Sequence, residues 1–152
     1  MGAYSFLNVQ ASINGPGLVA QIGSSAGSEK NGISVSFDED KGTITTGADG
    51  DIMTSLHAGQ TGKITIRLLK TSAINAVLSQ AYAFQRQSSV NWGANTLRIV
   101  DKIRGDVVNG VQMQFVKFPD NDWAEDGNTI TWVFQGIVRE LLGTGIPDLT
   151  IA

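Results

Sequence analysis

The sequence predicts a mostly β or α+β chain, sandwich-like or barrel-like, with one α-helix. Apolar and polar residues alternate in many short segments, glycine-rich turns separate these segments, and only one stretch has helical spacing. The 152 residues suit a single domain, 1–152, because no linker or internal repeat divides them. Seven or eight strands around one helix exclude a repeating βαβ fold.

The N-terminal segments read as a hairpin followed by a loop. Residues 4–13 carry apolar side chains at every second position, and residues 18–22 return as a second strand after the turn at 15–17. Residues 23–32 are small, polar and glycine-rich, which predicts a flexible loop. Further strands are predicted at 33–37, 43–46, 63–68, 96–99, 111–115 and 129–135.

Residues 47–62, GADGDIMTSLHAGQTG, form the most unusual stretch of the chain. They contain four glycines and only a small apolar group, Ile52, Met53 and Leu56. The stretch is too polar for a core element and long for a hairpin turn, so it predicts a long loop.

One helix is predicted at 73–87, with Thr71 or Ser72 as its cap. An apolar stripe at helical spacing indicates the face that packs on the sheet, whereas Gln80, Gln85 and Arg86 lie off it. The predicted core face is Ile74, Val77, Leu78, Ala81 and Phe84.

The composition excludes most catalytic and metal chemistry. Cysteine is absent, which excludes disulfides and thiolate sites, and His57 is the only histidine. The net charge of −3 argues against a basic surface for nucleic acid, and charged residues make up only 16% against a usual value of about 25%. The N-terminus lacks a signal-peptide pattern and no segment has the length of a membrane span, so we expect a soluble protein with no membrane partner.

Three segments resemble ligand-binding sequence motifs, but each departs from its motif at required positions. Residues 15–20 have the letters of a dinucleotide fingerprint, but glycines follow where its helix should continue. A phosphate loop ending at 62–63 would need glycine at His57 and Ser or Thr at Ile64. The acidic segment 120–127 places its glycine two residues too late for a calcium loop. We therefore predict no cofactor and no metal.

A carboxylate–histidine constellation of Asp49, Asp51 and His57 is the one catalytic arrangement worth weighing. A glycine-rich loop lacks the rigid support that a catalytic site needs, so turn residues and a surface histidine are the better interpretation. Trp132 is predicted to lie in the core, and Trp92 and Trp123 are candidate interface anchors.

The order of segments resembles that of tail tube proteins from contractile-tailed bacteriophages. The resemblance is carried by NVQASINGPG at 8–17 and by the stretch 44–72 with its TTGADGDIMTSLHAGQTGKITIRLLKTS sequence. It extends through the helix and the closing strand at 129–138, and so spans nearly the whole chain.

The resemblance implies a structural virion protein of the phage tail, assembled in the host cytoplasm, and not an enzyme. Homo-hexameric rings would pool strands into one inner β-barrel and stack into a tube, with sheath, tail terminator and baseplate proteins as partners. Double-stranded DNA would pass through the lumen without specific binding, which the net charge of −3 favours. The acidic residues in predicted turns suit either the lumen or ring contacts: Asp38, Glu39, Asp40, Asp49, Asp51, Asp120, Asp122, Glu125 and Asp126. The predicted ring-stacking residues are Asp49, Asp51, Ile52, Met53, Leu56 and His57.

Two alternatives stay open at the level of sequence. One is the tube of an R-type bacteriocin or a type VI secretion system, which would share the fold. The other is a monomeric ligand-binding β-barrel or small enzyme with its site at His57 and the Asp49/Asp51 pair.

Overall fold

This computed structural model describes residues 4–23 and 28–143 of the chain. They contain nine β-strands and one α-helix. Within that part, no helix is long and apolar enough to cross a membrane. A 3-10 turn (Phe6–Asn8) comes first. The elements are β1 (Val9–Gly15), β2 (Leu18–Gly23), β3 (Ser28–Phe37), β4 (Gly42–Thr46), β5 (Ile52–Leu56), β6 (Thr61–Leu69), α1 (Ile74–Gln85), β7 (Asn95–Asp101), β8 (Val107–Phe115) and β9 (Thr129–Leu141).

Seven of the strands form one antiparallel sheet in the order β2-β1-β7-β8-β9-β6-β3, and β4 pairs with β5 as a separate hairpin. The large sheet curls until its edge strands β2 and β3 contact each other. The predicted mostly β fold with one helix is confirmed for the described residues. The pooling of strands into a hexameric barrel stays a prediction.

The inward side chains of the large sheet meet in one apolar core. In β6, Ile64 and Ile66 are fully buried, because alternate residues of a strand point to the same face. Aromatic rings fill the centre: the Phe115 ring lies 4.6 Å from that of Phe134 and 5.8 Å from that of Trp132, measured between centroids. Trp132 is therefore a core residue, as predicted.

The helix α1 follows β6 and packs on β2 and the core. Leu78 and Ala81 are fully buried, and Ile74 and Val77 pack against the core while partly exposed. The helix is shorter than the predicted 73–87, because it begins at Ile74 and ends at Gln85. Just before it, the Ser72 hydroxyl accepts a hydrogen bond from the Ile74 amide at 3.3 Å. Four residues of the predicted core face, Ile74, Val77, Leu78 and Ala81, thus lie in the core or against it.

Phe84 and Gln85 correct the predicted helix face. Phe84 is 45% exposed, and its ring lies against the β1–β2 turn at Gly17 instead of entering the core. Gln85 is fully buried, although its polarity placed it off the stripe. It lies seven residues after Leu78 and therefore on the same face of the helix.

The chain departs from the predicted strand pattern at its start and in β8. The Ser5 hydroxyl accepts a hydrogen bond from the Leu7 amide, which stabilises a 3-10 turn and leaves Leu7 exposed instead of in a strand. In β8, Gln112 has φ +53° and the pairing register shifts there. This bulge turns Val111 outward, whereas Met113 and Phe115 stay buried as the alternation predicts.

Two predicted loops contain strands. β3 begins at Ser28, inside the predicted loop 23–32, of which residues 24–27 lie outside the described part. The stretch 47–62 contains β5 and the first residues of β6. It is the second half of a hairpin, because β5 finds its hydrogen-bond partners in β4.

We expect Phe115→Ala to lower the free energy of unfolding by about 3–5 kcal/mol, since the ring is buried and its loss leaves a cavity. The matched control is Phe84→Ala, which should cost only about 1 kcal/mol because the ring is half-exposed. Urea denaturation of both variants measures this difference. Equal losses would contradict the placement of the two rings.

Candidate assembly interface

The β4–β5 hairpin is the most exposed element among the described residues. Every residue of β4 is exposed, and in β5 only Ser55 is partly covered. The hairpin turns at 47–51, where the Gly47 amide donates to the Asp51 carbonyl at 2.7 Å and Gly50 has φ +93°. Glycine suits this turn because other residues rarely adopt a positive φ.

The two faces of the hairpin differ in polarity. Ile44 is paired with Thr54, Thr46 with Ile52 and Gly42 with Leu56, so Ile44, Ile52 and Leu56 lie on one face. Leu56 is 89% exposed, and Ile44 and Ile52 are 67% and 63% exposed. The opposite face carries Thr43, Thr45, Met53 and Ser55.

The base of the hairpin is tied to the large sheet. The Lys41 ammonium donates to the Gly59 carbonyl, and the His57 amide donates to the Lys41 carbonyl at 2.9 Å. Asp38 accepts a hydrogen bond from the Gln135 side chain at 2.8 Å and lies 3.9 Å from the Lys63 ammonium. The base is therefore held in place, while the rest of the hairpin projects.

The structure separates the proposed carboxylate–histidine group. His57 lies at the base, where its Nε2 is 3.3 Å from the Thr43 hydroxyl. Asp49 and Asp51 lie beyond β5 at the turn, and a carboxylate oxygen of Asp49 accepts from the Asp51 amide at 3.2 Å. Five residues of strand, about 16 Å, separate the imidazole from the carboxylates. The described residues contain no group of three or more ligands suited to a metal ion.

A buried polar network fixes the helix to the sheet, and sequence reasoning missed it. The Gln85 amide nitrogen donates to Asn95 Oδ1 at 2.7 Å and to the Pro16 carbonyl at 3.1 Å. Asn95 returns a hydrogen bond to Gln85 Oε1 at 2.9 Å and donates to the Met113 carbonyl at 3.0 Å. The helical spacing of Gln85 from Leu78 was the signal that could have revealed it.

The two candidate tryptophan anchors lie in different environments. Trp123 is 84% exposed in the segment between β8 and β9, with the Lys70 ammonium 4.0 Å above its ring. Trp92 is partly buried in the aromatic cluster, and its indole N–H donates to Gln114 at 3.0 Å. Only Trp123 presents a broad exposed ring.

Comparison with known protein families identifies the class of protein to which the exposed hairpin and Trp123 belong. The sequence profile of the bacteriophage PhiTE tail tube protein matches residues 1–143. The chain belongs to this family. It is a tail tube protein, a structural component of the phage tail, and the family is not one of enzymes. Family membership favours a tube subunit over the alternatives of a ligand-binding barrel and a small enzyme.

Solved structures show the same fold. The tail of an empty gene transfer agent particle, refined helically in C6 symmetry, is similar with a TM-score of 0.58 and 13% identity, covering 93% of this chain and all of that one. The tube-terminating cap of the anti-feeding prophage has a TM-score of 0.51 and 12% identity over 88% of both chains. A chain of the anti-feeding prophage baseplate is similar with a TM-score of 0.53 and 10% identity. The match covers 93% of this tail tube protein and 96% of that chain. No curated protein is significantly similar in sequence.

We expect His57→Ala to change the free energy of unfolding by no more than about 0.5 kcal/mol, because the side chain is exposed and makes one long contact with Thr43. Thermal unfolding measures this, and assembly should be unchanged. A hydrolase or transferase activity that vanished with this imidazole would contradict the structural assignment.

Proposed function

We propose that six copies of this tail tube protein form a ring, and that rings stack into a hollow tube that conducts phage DNA. The β4–β5 hairpin makes the contact between rings through four of the six residues predicted for ring stacking, Asp49, Asp51, Ile52 and Leu56, whereas Met53 and His57 lie off the contacting face. The observation that carries the proposal is an apolar hairpin face with no core of its own to cover it.

A two-stranded hairpin is marginally stable alone in water. Here its three aliphatic side chains stand exposed on one face, although covering each would gain about 1.5–3 kcal/mol. The subunit's own core is complete without them, since none of the three belongs to it. Contact with a second copy would therefore bury these side chains and release the free energy that the single subunit does not obtain from them.

The position of the hairpin suits an open-ended assembly. It joins the end of β3 to the start of β6, whereas α1 follows the far end of β6, about 30 Å away. A projection at one end that fits a different surface of the next copy makes a head-to-tail contact. Such contacts close into rings or continue as filaments, and a stacked tube uses both.

The solved relatives support the proposed symmetry and partners. The gene transfer agent tail was refined in C6 symmetry, and the anti-feeding prophage structures comprise a six-fold symmetrised baseplate and a tube-terminating cap. Terminator and baseplate proteins are therefore the proposed neighbours at the two tube ends.

A contractile tail would add a sheath around the tube. The helix then faces outward, with Gln80 and Arg86 exposed towards the sheath and the inner wall left to strands. DNA slides through without specific binding, in keeping with the net charge of −3.

Replacing residues 43–55 with Asn-Gly should give a folded subunit that no longer forms tubes. Gly42 and Leu56 are paired across the hairpin, so a two-residue turn can join them without disturbing β6. Negative-stain microscopy and sedimentation measure assembly, and circular dichroism measures folding. An unfolded product would show that the hairpin belongs to the subunit core, and intact tubes would refute its role in stacking.

Ile52→Thr should weaken tube formation by about tenfold, whereas Met53→Thr should leave it nearly unchanged. The two neighbours are 63% and 61% exposed but lie on opposite faces, so the pair isolates the apolar face from general surface hydrophobicity. The factor follows from a loss of about 1.4 kcal/mol at each contact. The protein concentration at which tubes appear measures the effect, and equal responses would contradict the assignment of the face.

A further inference from the structure

A basic groove crosses the outward face of β1, β2 and β7. It has a volume of about 390 Å³, and Arg98 and Lys102 lie along it. Ser12 of β1 is paired with Gln21 of β2 and with Arg98 of β7, which places polar side chains side by side across the three strands. None of the described residues that line the groove is a carboxylate.

Neither cation in this groove forms an ion pair with a carboxylate among the residues that the structure describes. The ion pairs among the described residues are Lys63–Asp38, Arg104–Asp106 and Lys117–Asp120. None of them includes Arg98 or Lys102. The nearby Asp101 is buried, and its Oδ1 accepts from the Ile103 and Arg104 amides on the inner side of the strand.

The hairpin and its base have the opposite charge. Residues 38–57 contain five carboxylates and one lysine, a net charge of −4, whereas the whole chain has −3. The remainder of the chain therefore carries +1. Asp38 is paired with Lys63, but no described residue supplies a cation to Asp49 or Asp51 at the turn.

We propose that the acidic hairpin turn of one copy, through Asp49 and Asp51, seats in the Arg98–Lys102 groove of a second copy. This rests on the proposed tube and names the surface that receives the hairpin. Each hairpin strand spans about 16 Å, which carries the turn that far beyond the base of its own hairpin and towards an adjoining subunit. Val100, which also lines the groove, offers the hairpin an apolar contact beside the two charges.

A charge-swap experiment on the full chain tests the contact. Arg98→Glu with Lys102→Glu, or Asp49→Lys with Asp51→Lys, should each raise the concentration needed for assembly by about tenfold or more, because like charges then meet. The four changes combined should restore assembly, since the attraction is re-formed with reversed sign. Sedimentation measures assembly, and thermal unfolding confirms that every variant is folded.

Matched controls distinguish this contact from a general effect of charge. Glu125→Lys with Asp126→Lys removes the same charge from another exposed loop and should leave assembly unchanged. Failure of the combined variant to assemble, or normal assembly of the Arg98/Lys102 variant, would overturn the inference and leave the tube intact. A wild-type chain that stays monomeric would instead overturn the tube as well.

A second readout separates protein from nucleic acid as the occupant. Fluorescence polarisation of a labelled DNA duplex should show the same weak binding for the wild type and for the Arg98/Lys102 variant. A variant that assembled normally but lost DNA binding would assign the groove to DNA and overturn the inference.

Discussion

The whole subunit depends on one constraint: seven strands and one helix must bury a single shared face. Alternate residues of each strand point inward, and the rings of Phe115, Trp132 and Phe134 occupy the centre of the resulting core. Curling of the sheet brings its two edge strands, β2 and β3, into contact with each other. Since this core is complete within one copy, the hairpin and the outward face are available for other contacts.

The position of the helix follows from polar groups as much as from apolar ones. Gln85 and Asn95 are fully buried, and their reciprocal hydrogen bonds offset the cost of removing two amides from water. The close approach also explains Gly15, because a Cβ there would lie 2.0 Å from the Asn95 side-chain oxygen. These directional hydrogen bonds can form at only one position of the helix, whereas an apolar stripe alone is compatible with many positions.

The division between core and surface gives the tail tube protein its means of assembly. Its hairpin combines an apolar face with an acidic turn, and the body of the subunit carries a slight excess of positive charge. In the assembly that we propose, burial of the aliphatic face would supply affinity, while charge pairing would fix register and exclude wrong contacts. The proposed charge contact would make assembly responsive to salt, since exposed charge pairs are screened within about 8–10 Å.

The sequence by itself determined the mostly β class, most of the strands, the helix and its principal core contacts, and the resemblance to tail tube proteins. The strands and the helix depend on local periodicity, which each segment carries without reference to its neighbours, whereas the resemblance rests on the order and the sequence of the segments. Tertiary structure decided that residues 52–56 return as a strand against β4, that Val111 turns outward at a bulge, and that Gln85 is buried while Phe84 is not. Each of these depends on a partner distant in sequence: the register of a second strand, or the Asn95 amide and Pro16 carbonyl that satisfy a buried glutamine. Periodicity shows which side of a segment is apolar, but only packing determines which polar groups find partners inside.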